Sequence, residues 1–290
     1  MTALIPILLV AGLAILLLSA ATGLAAVLVG AGGRAFAADG SGTIPIDRRA
    51  GPLPRIARWG VLVAFVVLLA AIVVRALAVG HAPWSNLHEF SIAFAATLLG
   101  THLALARSVA LDGLAPLTAL LAAGLVLFAM GLDDRIDPLV PALQQPVLLT
   151  VHVGTAVLAY AMSGLAFVAA LGEIAQGRSA DRIPVLPSAA DARALGHRAV
   201  VIAFPILTIA IALGSVWANL AWRSYWNNDP KELAAAATWL VFGAYLHVAG
   251  RRDRYAALAP WLIVLGFAGV VFTYVGAGLF FVGEHSYGVP

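Results

Sequence analysis

The chain has 290 residues, of which 62% are hydrophobic and 11% charged, with a mean hydropathy of +0.97 and a formal net charge of +3. So little charge over so many residues excludes a soluble globular protein and predicts a polytopic membrane protein. The absence of cysteine excludes a structural disulfide and any thiol redox step.

In chain order, apolar runs of the ~20 residues that a bilayer requires predict about eight transmembrane helices. They lie at 3–30, 57–80, 89–107, 114–131, 147–173, 198–219, 233–249 and 258–282. The expected fold class is all-α and polytopic, with a single membrane domain over 1–290. The first run is too long for a signal peptide and has neither a basic n-region nor a cleavage site. The polar intervals 31–56 and 174–197 are rich in Gly, Pro, Ala and Arg and read as linkers. No internal repeat has a readable period.

Arginines set the expected orientation. Arg34, Arg48, Arg49, Arg55, Arg58, Arg107, Arg178, Arg182, Arg193, Arg198, Arg251, Arg252 and Arg254 fall at one end of the spans. Arg135, Arg223 and Lys231 fall at the other, with Arg75 late in the second span. The positive-inside rule puts the larger set in the cytoplasm of a cell-membrane protein. Both termini, the loops 81–88 and 132–146, and the segment 214–232 are then outside. Because the basic charge is topogenic, no nucleic-acid partner is expected.

That outer segment, GSVWANLAWRSYWNNDPKE at 214–232, has the most distinctive composition in the chain. Trp217, Trp222, Tyr225 and Trp226 fall within ten positions, followed by Asn227, Asn228, Asp229, Lys231 and Glu232. Flat rings beside hydrogen-bonding groups suit a large, flat, amphipathic ligand at the membrane surface. A belt of interfacial aromatics fits the same rings. Asp229-Pro230-Lys231-Glu232 also reads as a helix start, with Asp as N-cap, Pro at the first position and Glu at the third.

Histidines frame this segment. His152 sits about five residues into the fifth span, and His285 just past the outer end of the eighth, in EHSYG. His247 lies some fourteen residues down the seventh span, about 21 Å at 1.5 Å per residue. An intramembrane histidine is costly without a partner and is a functional candidate by default. Two outer imidazoles beside an aromatic platform point to axial ligation of haem iron. His81 and His88, taken as exposed loop residues, are spare ligands at most. His102 and His197 read as structural, and Asn86 with Glu89 as the turn that starts the third helix.

Five segments carry a specific resemblance: HAPWSNLHEF at 81–90, VHVGTAVLAYAMSG at 151–164, GSVWANLAWRSYWNNDPKE at 214–232, TWLVFGAYLH at 238–247 and GEHSYG at 283–288. In order and spacing they resemble the CcsA/ResC-type family of haem-handling cytochrome c biogenesis proteins, the system II synthetase. The resemblance covers 57–290 and leaves 1–56 as an extra N-terminal helix and cytoplasmic loop. It implies a membrane protein that takes or receives haem b and attaches it to the Cys-x-x-Cys-His motif of an apocytochrome c. It implies His152 and His285 as external haem ligands and His247 as an intramembrane one. The second intramembrane ligand would come from a ResB/CcsB-type partner, with membrane lipid around both subunits. Trp217, Trp222, Tyr225, Trp226, Arg223, Asp229 and Lys231 fall in the family's haem-docking segment.

Two positions depart from the family pattern. Asn228 stands where the Trp-x-Trp-Asp motif has its second tryptophan, and Arg223 at a family glycine. A lost stacking ring is worth roughly 0.5–1.5 kcal/mol, and Arg223 can offset that by pairing with a haem propionate. No covalent protein nucleophile is expected, since holding and presenting the ring is the protein's task in a holocytochrome c synthase complex. The alternatives are a transporter without haem and a scaffold subunit with a degenerate haem site. Gly- and Pro-bearing spans favour the former, and the missing tryptophan the latter.

Overall fold

A computed structural model describes residues 3–35, 52–107, 109–135, 146–180, 183, 185–281 and 283. The described residues form ten α-helices joined by short loops, without strands. They are α1 (Leu4–Ala35), α2 (Pro52–Val79), α3 (Leu87–Leu105), α4 (Ala115–Met130), α5 (Pro146–Ser179), α6 (Ala189–Trp222), α7 (Pro230–Ala249), α8 (Arg252–Tyr255), α9 (Ala259–Val271) and α10 (Ala277–Phe280). A 3-10 turn at Val109–Leu114 leads into α4, and one π-helical turn at Phe272–Gly276 joins α9 to α10. Among the described residues, seven helical segments are long and apolar enough to cross a membrane, and α3 is the eighth predicted span.

α3 differs from the others because it lies inside the bundle. It packs against α2, α4 and α5, and Phe94, Leu98 and Leu99 are fully buried on it. It can therefore carry polar side chains, provided each meets a partner. Asn86 caps it by accepting from the Glu89 amide at 2.9 Å. Arg75 of α2 donates through Nε to Glu89 Oε1 at 2.8 Å, and through its terminal nitrogens to the carbonyls of Asp134 and Arg135. His102 Nδ1 lies 2.8 Å from the Thr118 hydroxyl, a structural role as expected. His88 corrects its reading as an exposed loop residue. It is 3% exposed in the first turn of α3, with Nδ1 2.8 Å from the Ala129 carbonyl.

The two longest helices overrun the predicted spans. α5 continues to Ser179 and α6 begins at Ala189, so the linker expected over 174–197 shrinks to 180–188. Residues 189–197 are mostly Ala, Leu and Arg, strong helix formers, and Ser188 caps them by accepting from the Asp191 amide. Gln176 stitches this end together, since its Nε2 donates to the carbonyls of Ile183, Leu186 and Pro187. Arg58 with Asp112 at 2.8 Å, and Arg193 with Glu173 at 2.6 Å, complete it. α5 packs most extensively on α6, α1 joins α2 and α4, and α9 joins α5 and α7.

Candidate functional site

α5 and α6 run side by side, and their ends away from the arginines bring His152 and the tryptophan-rich segment together. His152 lies 62 positions before Gly214 in sequence, yet its imidazole fits a notch that Gly214 leaves open. A Cβ at 214 would stand 2.7 Å from His152 Cε1. The Nδ1 atom is 3.0 Å from the Ala210 carbonyl oxygen. A carbonyl can only accept, so Nδ1 carries the proton and Nε2 holds the lone pair of the neutral ring. Metal-binding imidazoles are oriented in this way.

The rings continue from His152. Trp217 lies parallel to it, with centroids 6.3 Å apart and 8° between planes, and Trp222 meets Trp217 edge to face at 4.7 Å. Trp217 is 3% exposed and packs with Leu149, while Leu148, Val153, Ala221 and Trp222 surround that pair. Tyr225 and Trp226 stand out at 60% and 42% exposure. His152 and two packed indoles thus form one ring cluster, with two exposed rings on the loop that follows.

The backbone beyond Trp222 reverses direction through special residues. Arg223 ends α6 in the left-handed region at φ 63°, its amide donating to the Asn219 carbonyl at 3.0 Å. A glycine there would carry no Cβ penalty. Asn228 is also left-handed, at φ 56°, a conformation Asn tolerates better than an aromatic residue. Its Oδ1 accepts from Trp226 Nε1 at 2.9 Å, so Asn228 holds the neighbouring ring. The Ser215 hydroxyl donates to the Tyr225 carbonyl at 2.8 Å and ties the loop back to α6.

Asp229 starts α7 with a capping box. Its side chain accepts from the Lys231 amide at 2.8 Å, and Glu232 Oε2 accepts from the amides of Asn227 and Asp229. Gly283, past α10, approaches this cap so closely that a Cβ there would lie 2.4 Å from Asp229 Oδ2. Lys231 directs its stem towards α10, 3.8 Å from where a Cβ on Gly278 would be. His285 lies outside the described residues, although Gly283 precedes it by two positions.

His247 does not join this cluster. It occupies the last turn of α7, 17 positions from Pro230, about 26 Å along the axis. Its side chain is on the exposed stripe that also bears Leu233 and Leu240, 50% and 63% exposed. His197 instead meets the Tyr245 hydroxyl at 3.2 Å between α6 and α7. Sequence reasoning included Gly214 and Ser215 in the 214–232 segment without a role for either, and missed Ala210. Gly214 and Ser215 open the tryptophan-rich segment, whereas nothing local marks the Ala210 carbonyl.

Residues 84–285 match the sequence profile of the cytochrome c assembly protein family. A "Cytochrome c biogenesis protein CcsA" of Synechococcus sp. (strain CC9902) is 33% identical over 268 residues, covering 81% of this chain and 87% of that protein. The protein of the same description from Chlamydomonas reinhardtii is 33% identical over 258 residues, 86% of this chain and 72% of its own length. Its counterpart from Synechococcus elongatus is 31% identical over 287 residues, 81% and 88% of the two chains.

Proposed function

The chain belongs to the cytochrome c assembly protein family as a CcsA-type cytochrome c biogenesis protein, and from that premise we propose that it holds haem at its tryptophan-bearing end for attachment to apocytochrome c. The observation that carries this reading is the seating of His152. Its Nδ1 is fixed on the Ala210 carbonyl, its ring sits in the Gly214 notch, and a tryptophan lies parallel beside it. That arrangement presents Nε2 as an axial ligand with a set direction.

Haem b is the cargo and substrate here. His152 and His285 would hold the iron, while Trp217, Trp222, Tyr225 and Trp226 would pack on the macrocycle. Arg223 and Lys231 neutralise propionates, and Asp229 fixes the loop that carries them. In the attachment step each apocytochrome thiol adds across one vinyl group. A carbon–sulfur bond forms, the thiol proton passes to the other vinyl carbon, and no electrons are gained or lost. The protein supplies position and a ligand that the Cys-x-x-Cys-His histidine can displace.

The arginine distribution supports an outward-facing tryptophan end in the cell membrane, with both termini outside. His247, exposed on α7, is available to a ResB/CcsB-type subunit, with which this chain forms the synthetase. Within the single membrane domain, α1 and the loop after it are the N-terminal addition.

Absorption spectra of the complex purified with its partner test this reading. His152→Ala is expected to remove the low-spin signature of the outer haem, and added imidazole to restore it. An unchanged spectrum in the doubly substituted His152→Ala, His285→Ala protein sinks the proposal and leaves a scaffold.

A further inference from the structure

At the opposite end of α6, roughly 40 Å from Trp222 along the helix, lies a cleft of about 450 Å³. Ala190, Arg193, Ala194, His197, Arg198 and Val201 line it. Three- and four-residue spacing puts all six on one face of α6. We propose that this cleft binds the headgroup phosphate of an anionic phospholipid.

Depth is the first argument. α6 has 34 residues, about 51 Å of helix against a hydrocarbon core of about 30 Å. Its first turns therefore stand at headgroup level. Ala194 and Arg198 are exposed and Val201 is 46% exposed, so the cleft opens sideways, where lipid surrounds the bundle.

Charge is the second. Arg193 binds Glu173 Oε1 through Nε, which cancels one carboxylate and keeps its two terminal nitrogens for a second acceptor. Arg198, which has no ion pair among the described residues, adds a cation one turn further on, and the His197 ring lies between them, its Nδ1 near Tyr245. Arg178, Arg251 and Arg254 belong to the same end of the bundle. Basic clusters at this level of a membrane helix suit phosphate headgroups.

The order of residues along the axis selects a lipid over a free anion. Guanidiniums come first, and Val201 lies deeper, as headgroup and acyl chain do. A free phosphate gains nothing from Val201 or from a lateral opening.

The test uses the full chain reconstituted into nanodiscs of phosphatidylcholine with graded phosphatidylglycerol, read by native mass spectrometry. Wild type is expected to retain phosphatidylglycerol over phosphatidylcholine. Arg198→Gln lowers that retention about fivefold, the worth of one basic residue at an anionic surface. Ala194→Trp fills the cleft without changing its charge and lowers retention as well, so it carries the test should Arg198→Gln fail to fold. Equal retention in wild type and both variants overturns the proposal. Displacement of the lipid by millimolar inorganic phosphate also overturns it, in favour of a plain anion site. Loss of bound haem from Ala194→Trp with lipid retention intact overturns it too, since the cleft then belongs to the haem path.

Discussion

At the arginine-rich end, Gln176 spends its whole amide on the loop after α5, donating to three carbonyls and accepting from the Ile183 amide. At the tryptophan-bearing end, Tyr225 and Trp226 are left 60% and 42% exposed on a loop whose polar groups bind one another. One end directs its side chains at its own backbone. The other uses its backbone to hold rings outward. Rings on so fixed a support suit the ligand proposed for this end. Stability and ligand binding should accordingly separate between the two ends.

Gln176→Leu is the strongest way to break that separation. It leaves buried carbonyls without donors, and thermal unfolding in detergent should register a loss of up to about 3 kcal/mol. The haem spectrum should stay as it is. A fall in haem content at unchanged stability shows instead that the two ends are coupled.

Gly214→Val works in the opposite sense. Its side chain enters the space of the His152 ring, at a cost of about 1–2 kcal/mol. The outer haem signature should disappear while the protein remains folded. Retention of full haem content shows that His152 reaches iron by another route, or not at all.

Arg223→Gly has the smallest effect on stability and sharpens the comparison most. Relief of a left-handed non-glycine residue should raise stability by roughly 0.5–1 kcal/mol. If Arg223 grips a propionate, haem titration of the same variant shows weaker binding despite the firmer fold. Stronger binding shows that the side chain only closes the helix.

Much of the bundle was legible because its signals are local. The apolar runs, Asn86 at the start of α3 and the Asp229–Glu232 capping box need only a few neighbouring residues. α5 and α6 ran longer than read because hydropathy reports where a helix meets lipid, whereas Ala, Leu and Arg continue the helix beyond it. His88 was misjudged since its partner, the Ala129 carbonyl, comes from another helix. The rings of the candidate site were visible as composition. The notch that seats His152 was not, because Gly214 and the Ala210 carbonyl matter only once α5 lies against α6.

The π-helical turn at Phe272–Gly276, closed by the Ala277 amide on the Phe272 carbonyl, has a bearing on ancestry. Such a turn holds one surplus residue within an otherwise regular helix. Deleting a single position there lets the chain revert to ordinary winding while everything after it keeps its phase, because an i→i+5 turn holds one residue more than an i→i+4 turn over the same rotation. Insertions and deletions among relatives should therefore gather in this short window of the last span, where the lineage can gain or lose a residue and still cross the bilayer.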